Sequence, residues 1–325
     1  MHPCKGHLQN PMLEGDGIDW KNIEYDEYLD LISTEEKAFE FAKSRGLIDT
    51  AQICDCGRTM SLQRKCDRRH GNVFVCSASR SICSRTKSVL SGSWFSHSKL
   101  NIRVGMKAIA CYAAEATCAQ FSFLTGIKSS KTVVDWRSYF RDICYGEVDR
   151  VATEMIGGEG FTVEIDESMV FRRKSATGRL LAGEQANEWV FGALCRENGQ
   201  GFVFAVPSRA RQTLFEIIRA RIAPRTRIIS DSFRSYATLS GEGYDHQMVN
   251  HSYNFVSPDD PSINTQRIER SWRTLKSIIP RECSYELRWT YLAVHTWKQR
   301  TRWYELSVGE RIDLLLRCLS GIHFD

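Results

Sequence analysis

Three acidic residues, Asp166, Asp231 and Glu269, have the types and settings needed to bind divalent metal ions. Asp166 lies on the polar side of the alternating stretch FTVEIDESMVF, and Asp231 directly follows the short stretch RIIS. Glu269 lies on a strongly amphipathic stretch that Pro280 ends. Two Mg²⁺ ions about 4 Å apart can activate the attacking oxygen and neutralise the leaving oxygen in phosphodiester cleavage, and Mg²⁺ prefers carboxylate oxygens. These residues therefore suit metal-dependent cleavage or transfer of phosphodiesters.

Each of these carboxylates also has an ordinary structural interpretation. An aspartate that follows a strand often caps a helix, which is the alternative for Asp231. Glu269 and Arg273 stand four residues apart, a spacing that permits an ion pair worth roughly 0.3 kcal/mol. Glu167, adjacent to Asp166, should point to the other face of a strand, so it is left out of the site. From the residues alone, both interpretations stay open.

The stretch around Glu269 has the best-defined helical pattern in the chain. Its apolar residues recur at i, i+4, i+7 and i+11, as Ile268, Trp272, Leu275 and Ile279. A second stripe beside it holds Glu269, Arg273 and Lys276. We therefore predict a helix that packs Trp272 into the core and turns Glu269 towards the edge of a sheet. Arg273 and Lys276 would then face a phosphate backbone.

The elements that must position these residues have an α/β pattern after Gly157. The stretches FTVEIDESMVF, EWVFGALC and GFVFAV read as consecutive strands, a helix follows around 208–222, and RIIS reads as a further strand. Functional groups in open α/β sheets gather beyond the carboxyl ends of strands, which suits Asp231. Three strands, a helix and another strand is the order of the ribonuclease-H-like fold. We predict that α/β fold, with a mixed five-stranded sheet flanked by helices.

The part of the chain before Gly157 has a different composition. Five of the twelve cysteines lie in residues 54–83, which favours a metal site over disulfides. Residues 58–87 carry eight basic side chains and one acidic side chain, a pattern that fits either phosphate contact or a solvated surface. The candidates for DNA contact in this segment are Arg68, Arg69, Arg85 and Lys87.

Helices are predicted on both sides of this cysteine-rich segment. Ser33-Thr34-Glu35-Glu36 is a candidate cap for a helix in the acidic N-terminal part. Further helices are predicted over 98–119 and 130–145. The stretch FLTGIKSSKTVVDWRSYFRDIC reads as helix, turn, helix, which is a common DNA-docking arrangement and also a common arrangement of any two helices.

Residues 54–297 resemble the Merlin-type DDE transposases and their bacterial insertion-sequence relatives that carry an N-terminal zinc ribbon. The motifs stand in the family's order, with CGRTM, SVLSGSWF, LTGIKSSKTVVDW, VEIDES, WVFGALCR, ISDSFRSY, VNHSYNFVSP and NTQRIERSWRTLK. The resemblance implies that Asp166, Asp231 and Glu269, spaced D-x64-D-x37-E, are the catalytic carboxylates, with Mg²⁺ or Mn²⁺ as cofactor. It also makes Lys276, in the last motif, a candidate phosphate contact.

The same resemblance implies cut-and-paste transposition, with strand cleavage at terminal inverted repeats and strand transfer into target DNA. Double-stranded DNA is then the partner, and a homodimer or larger assembly is expected because synapsis of two ends needs two active sites. His251 and Asn254 match the VNHSYNFVSP segment, in which a lone loop histidine is more often structural than catalytic. One competing hypothesis is a transposase-derived DNA-binding or regulatory protein without catalysis, and Asn264, where relatives often carry His, favours it. Another is a nuclease of the same fold with a different function.

The cysteine cluster, by the same resemblance, corresponds to the zinc ribbon. The candidate ligands of a structural Zn²⁺ are Cys54, Cys56, Cys76 and Cys83. Their spacing, C-x-C and C-x6-C, departs from the usual pattern of two to four intervening residues. Cys66 or His70 as a substitute ligand, and a remnant that binds no metal, therefore stay open as alternatives.

The predicted organisation has five segments. They are an acidic, partly helical extension (1–50), a zinc-ribbon-like module (51–90), a helical, helix-turn-helix-like region (91–156), the catalytic domain (157–283) and a C-terminal helical segment (284–325). The sequence has neither an apolar run of roughly 20 residues nor a signal-peptide pattern. We therefore expect an intracellular protein without a membrane partner, in the nucleus of a eukaryote or in the cytoplasm and nucleoid of a bacterium.

Overall fold

The computed structural model of the chain describes residues 16–65, 70–79, 82–96, 98–172, 187–231, 233–249, 260–280 and 283–320. The predictions about Cys66, Arg68, Arg69, His251 and Asn254 lie outside these residues. Among the described residues, no helix has the length and apolar character needed to cross a membrane.

Groups of helices and groups of strands follow one another along the chain. The helices are α1 (Tyr25–Leu31), α2 (Glu35–Ser44), α3 (Ile102–Ala113), α4 (Cys118–Thr125), α5 (Ser130–Arg150), α6 (Arg211–Arg221), α7 (Gln266–Ile278), α8 (Tyr285–Arg300) and α9 (Val308–Leu319). The strands are β1 (Gln52–Ile53), β2 (Thr59–Arg64), β3 (Asn72–Cys76), β4 (Thr86–Ser88), β5 (Ile156–Gly157), β6 (Thr162–Arg172), β7 (Asn187–Cys195), β8 (Gly201–Val206), β9 (Ile222–Ala223), β10 (Arg227–Asp231) and β11 (Asp245–Val249). Short 3₁₀ turns lie at Arg234–Tyr236, Leu239–Glu242 and Trp303–Glu305.

The chain forms two compact units. The first contains the residues up to Ile143 together with those from Tyr304 onward, and the second spans Cys144–Trp303. The predicted C-terminal segment 284–325 is therefore shared, because α8 belongs to the second unit and α9 to the first. The other predicted segment limits stay predictions.

The first unit contains a small sheet and several helices. Strands β1 to β4 pair in chain order, each antiparallel to the next, and Met60 on β2 lies opposite Cys76 on β3. Phe74 on β3 is fully buried and gives this narrow sheet an apolar side. The predicted helix cap at Thr34 is confirmed, because its hydroxyl accepts the amide of Lys37 at the start of α2.

The helix predicted over 98–119 is wrong in its extent, because two helices occupy this region. Helix α3 ends at Ala113, and Glu115 takes a positive φ of 55° that breaks the helical path. Thr117 then caps α4 in a capping box with Gln120. The predicted start of α5 at Ser130 is confirmed, although α5 continues beyond Tyr145 to Arg150.

The second unit is built on a mixed five-stranded sheet of order β11-β10-β6-β7-β8. Strands β6, β7 and β8 form an antiparallel meander, whereas β10 runs parallel to both β6 and β11. The predicted strands and the mixed sheet are thus confirmed, and so is the helix α6 that precedes β10.

Helices cover both faces of this sheet, so residues on both faces of its strands are buried. On one face, Val163, Ile165 and Phe191 pack with Leu214 and Ile218 of α6. On the other face, Val190, Leu194 and Val203 pack with residues of α7 and α8, namely Ile268, Trp272, Leu275 and Leu292. The predicted apolar stripe of α7 is therefore the stripe that the helix buries.

Candidate active site

Asp166 and Asp231 lie on neighbouring parallel strands. The register pairs Ile229 of β10 with Glu164 of β6, so two residues further on Asp231 comes beside Asp166. Paired residues of parallel strands point to the same face, and Glu164 contacts α7. Both aspartates therefore belong to the face that carries α7.

Glu269 is positioned by the buried stripe of α7. Ile268 and Trp272 on either side of it in sequence are buried against the sheet, which leaves Glu269 half-buried at the rim of the contact. Its Oε1 accepts the hydroxyl of Thr265 at 2.8 Å. Within the described residues, Glu269 forms no ion pair with Arg273, so the structure does not contain the pair that the spacing permits.

The pKa of Asp166 depends on the charges of the other two carboxylates. Burial raises the pKa of Asp166 to about 6, and the charges of Asp231 and Glu269 add to this rise. Hydrogen bonds from the Trp272 indole and the Glu167 amide, both 2.8 Å long, act in the opposite direction. A bound divalent cation would relieve the repulsion among these carboxylates.

Asp231 makes a local capping contact and also lies beside Asp166. Its Oδ1 accepts the amide of Phe233 at 3.0 Å, just ahead of the short helix Arg234–Tyr236. This turn fixes the aspartate at the end of β10, while its charge still acts on Asp166. A local capping contact and a position beside Asp166 are therefore compatible.

Trp272 has a second role beside the packing that its sequence predicts. Its ring is buried, and its Nε1–H donates to Oδ2 of Asp166 at 2.8 Å. Gly192 of β7 leaves room for the ring, because a Cβ there would come within 2.4 Å of it. The only sequence signal for this contact is a glycine inside a strand, which often marks a close approach.

Glu167 is a neighbour of the site that sequence reasoning set aside. Burial raises its pKa to about 8, the charges of Asp166 and Asp231 add to this, and Arg209 opposes it. Its Oε1 is buried without a hydrogen-bond partner in the part of the chain that the structure describes. The guanidinium of Arg209 lies 3.8 Å from the ring of Trp189 and 5.0 Å from that of Phe233.

The candidate phosphate contacts differ in their surroundings. Arg273 and Lys276 are exposed on α7, and within the described residues neither side chain has an ion pair or a hydrogen bond. Arg85 and Lys87 both contact Asp55, at 2.8 and 3.1 Å. The charges of this second pair are thus partly balanced within the small sheet.

The four predicted zinc ligands meet at one end of the small sheet. The sulfurs of Cys54, Cys56, Cys76 and Cys83 all lie within 4.8 Å of one another. Cys54 and Cys83 are 3.6 Å apart at Sγ, and Cys56 and Cys76 are 3.5 Å apart. A Zn–S bond of about 2.3 Å in a tetrahedron gives S···S distances of about 3.8 Å. The geometry thus fits a tetrahedral Zn²⁺ despite the unusual spacing.

Tight turns position the four cysteines, and hydrogen bonds shift the pKa values of their thiols. Gly57 donates to the carbonyl of Cys54 at 2.8 Å, and Cys83 donates to that of Ser79 at 3.0 Å, so each cysteine pair has a tight turn. A backbone hydrogen bond at Arg58 and the other thiols lower the pKa of Cys56 to about 7, which favours its thiolate. At Cys76 the backbone hydrogen bond at Ala78 acts in the same direction, but burial and the other thiols raise the pKa to about 12. His70 is not a substitute ligand, because its ring contacts Glu35 at 3.2 Å.

The carboxylate site is more open than the cysteine cluster. Among the described residues, the four cysteines are the only group of three or more such ligands whose atoms all approach within 4.8 Å. The oxygens of Asp166, Asp231 and Glu269 are thus spaced more widely. Carboxylates that bind two ions about 4 Å apart lie further from one another than the ligands of a single ion do.

Comparison with known protein families finds a match to part of the chain. Residues 156–282 match the family model of the ISXO2-like transposase domain. No curated protein matches the chain. Three solved structures of the Mos1 transposase have low similarity. The strand transfer complex is 12% identical, covers 61% of this chain and 75% of its own, and has a TM-score of 0.19. The pre-cleavage transpososome is 10% identical, covers 68% of this chain and 79% of its own, and has a TM-score of 0.19. The paired-end complex is 11% identical, covers 68% of this chain and 79% of its own, and has a TM-score of 0.18.

These structural similarities are too low to indicate a shared fold, whereas the family model matches a continuous part of the chain. The matched residues contain the five-stranded sheet, α7 and the three carboxylates. The resemblance to DDE transposases that the motifs indicated is therefore confirmed for residues 156–282, which match the ISXO2-like transposase domain.

Proposed function

We propose that the chain is an active DDE transposase, which cleaves DNA at the terminal inverted repeats of a mobile element and transfers the strands into target DNA. In this proposal Asp166, Asp231 and Glu269 hold two Mg²⁺ or Mn²⁺ ions. The observation that carries it is the register of β6 and β10, which brings Asp231 beside Asp166 on the face covered by α7, and the electrostatics agree with it. Asp231 and Glu269, 38 residues apart in sequence, both act on the buried Asp166 and raise its pKa.

The second unit then has the ribonuclease-H-like fold. Its strand order, an antiparallel meander of three strands followed by two parallel strands on the other side of β6, supports this assignment. In such an arrangement the two central parallel strands end side by side. A helix packed on the same face can add a third carboxylate.

The chain's own residues would keep the ligands in place for the reaction. Trp272 holds one oxygen of Asp166, Thr265 holds one oxygen of Glu269, and the Phe233 amide holds Asp231. When bound, the ions would supply Lewis acidity for the attacking and leaving oxygens. Preorganised ligands cost little reorganisation as charge develops. Arg273 and Lys276, exposed beside Glu269, would contact the backbone of the bound DNA.

The first unit would contribute DNA binding. We propose that the four cysteines hold a structural Zn²⁺ and make β1 to β4 a zinc ribbon, and that α4 and α5 form the helix-turn-helix-like pair. Two chains would act together, because two element ends must be joined. The protein would work where the DNA is, in a eukaryotic nucleus or a bacterial nucleoid.

The test is metal-dependent nicking of a duplex that carries the inverted repeat flanking the gene. The wild-type chain should nick at the repeat end with Mg²⁺ or Mn²⁺, and Asp166→Asn and Asp231→Asn should abolish nicking. Glu216→Gln, an exposed acidic residue on α6, is the matched control and should retain it. Full nicking by the Asp166 variant would refute the assignment. Repeat-specific binding without nicking by the wild type would indicate a regulatory DNA-binding protein, and nicking of any duplex would indicate a different nuclease.

A further inference from the structure

Glu164 is a fully buried carboxylate two residues before Asp166 on β6. Its side chain has no solvent exposure, and burying a charge is unfavourable unless both oxygens have partners. Oε1 accepts Nε of Arg196 at 2.7 Å, and Oε2 accepts the backbone amide of Ile268 at 2.9 Å. Both oxygens therefore have a specific partner.

The second of these contacts caps the helix that carries Glu269. Ile268 is the third residue of α7, and its amide is one of those that a helix start leaves without an intrahelical acceptor. The residue before the helix, Thr265, provides no side-chain cap. Glu164 supplies one from another strand, and its charge also suits the positive end of the helix dipole. The next residue in the chain is Glu269.

Arg196 fixes the approach to the same helix. From the end of β7 it donates to the carbonyls of Ser262 at 2.6 Å and of Asn264 at 2.5 Å. Arg267 donates back to the carbonyl of Arg196 at 2.5 Å. The segment that leads into α7 is thus held at several points by one side chain whose position depends on Glu164.

We propose that Glu164 and Arg196 are positioning residues that set Glu269 relative to Asp166 for metal binding. This rests on the proposed function of the three carboxylates. Glu164 and Asp166 lie about 6.7 Å apart along one strand, two residues at the strand rise. The contacts of Glu164 and Arg196 with the start of α7 form a clamp. This clamp links Glu269, the first residue of α7 that could bind metal, to the strand that carries Asp166.

A purely stabilising role would not require this arrangement. A buried ion pair is often no better for stability than apolar residues of the same volume. What an apolar pair cannot provide is a directed bond to the amide that precedes Glu269. The geometry thus favours placement of the helix over general stability.

The test measures Mn²⁺ binding by the full chain. Free Mn²⁺ is followed by electron paramagnetic resonance, with no DNA present, and the cleavage rate is measured separately as a function of Mn²⁺. Glu164→Gln keeps the shape but loses one of the two acceptor positions, so we expect affinity for Mn²⁺ to fall about tenfold, as for other residues that orient metal ligands. Cleavage should recover at high Mn²⁺.

The matched control is Glu197→Gln. Glu197 is exposed beside Arg196 and accepts the amide of Thr162 at 3.0 Å, in the same strand connection, and among the described residues its side chain has no hydrogen bond to the segment before α7. It should bind Mn²⁺ as the wild type does. If Glu164→Gln does not fold by circular dichroism, Arg196→Lys takes its place, with the same expected loss because lysine lacks the planar fork.

The outcomes separate this inference from the proposed function. A folded Glu164 or Arg196 variant that binds Mn²⁺ like the wild type, while Asp166→Asn loses binding, overturns the clamp and leaves the metal site intact. Unchanged binding by Asp166→Asn overturns the metal site itself. A loss in the Glu197 control as large as in the Glu164 variant also overturns the clamp, because any change near this turn would then have the same effect.

Discussion

Asp166 owes its orientation to one indole and one glycine. The Nε1–H of Trp272 fixes Oδ2, and the absence of a side chain at Gly192 gives the ring its place. Sequence reasoning identified Trp272 as a core residue but not as a donor, because the 3.6-residue period locates the ring without showing where its nitrogen points. The partner lies 106 residues away.

We predict that Trp272→Phe separates packing from orientation. Phenylalanine keeps most of the buried surface and loses the hydrogen bond, so the free energy of unfolding should fall by about 1–2 kcal/mol. Cleavage at low Mg²⁺ should fall by about 10-fold or more, as expected when a ligand loses its orienting partner. Trp297→Phe, a buried tryptophan of α8 packed on Trp303, is the control. Equal effects of both variants on cleavage would contradict this role.

Gly192→Ala tests the same contact from the strand. The new Cβ would lie 2.4 Å from the Trp272 ring, so the indole must move and the protein should lose about 1–3 kcal/mol of stability. Gly146→Ala, in α5 with open space around it, should be neutral or slightly stabilising. Thermal melting measures both. An unchanged melting temperature for Gly192→Ala would show that the ring has room to spare.

Individual helices and strands could be predicted from the sequence more reliably than the contacts between them. The alternation in FTVEIDESMVF specified β6 and its faces because the strand period is local. The break between α3 and α4 could not be predicted from the sequence, because it depends on the positive φ of Glu115. The cap from Glu164 to α7 also escaped sequence reasoning, since the pairing of β6 with α7 spans 104 residues.

The contact between α7 and α8 should make stability depend on pH. His295 of α8 is buried with its Nε2 2.8 Å from the Ser271 hydroxyl, and burial, together with Lys298, lowers its pKa from 6.5 to about 4. A base with a lowered pKa stabilises the fold above its unfolded pKa and loses that contribution as pH falls from 6.5 to about 4. The loss should reach about 3 kcal/mol.

Melting of the wild type and of His295→Gln between pH 7.5 and 4.5 tests this dependence. The wild type should lose stability more steeply than the variant, which has no group that titrates at this position. A constant difference between the two proteins over this range would contradict a lowered pKa.

The small sheet should depend on metal. Because Cys54 and Cys76 are brought together by the register of β1, β2 and β3, the purified chain should contain one Zn²⁺ per molecule. A strong chelator or Cys56→Ser should remove the metal and lower the melting temperature, as structural Zn²⁺ binding contributes directly to folding. Cys118→Ser, an exposed cysteine on α4, should change neither. Full metal content in the Cys56 variant would exclude it as a ligand.

At the scale of the whole molecule, sequence motifs indicated the family and predicted the three carboxylates, but the division of the chain into two units was visible only in the structure. The two compact units share the C-terminal part, with α8 packed on the sheet and α9 in the first unit. No local pattern predicts this division. Helix α8 is buried continuously from Leu292 to Lys298 and α9 is amphipathic, but neither pattern shows on which unit the helix packs.

We propose above all that Asp166, Asp231 and Glu269 bind two divalent ions. The most direct test is anomalous scattering of Mn²⁺ in crystals of the full chain bound to an element-end duplex. We predict two peaks about 4 Å apart, ligated by oxygens of these three residues and by a DNA phosphate. Mn²⁺ bound only elsewhere, or no bound Mn²⁺ with the DNA end in place, would contradict the account.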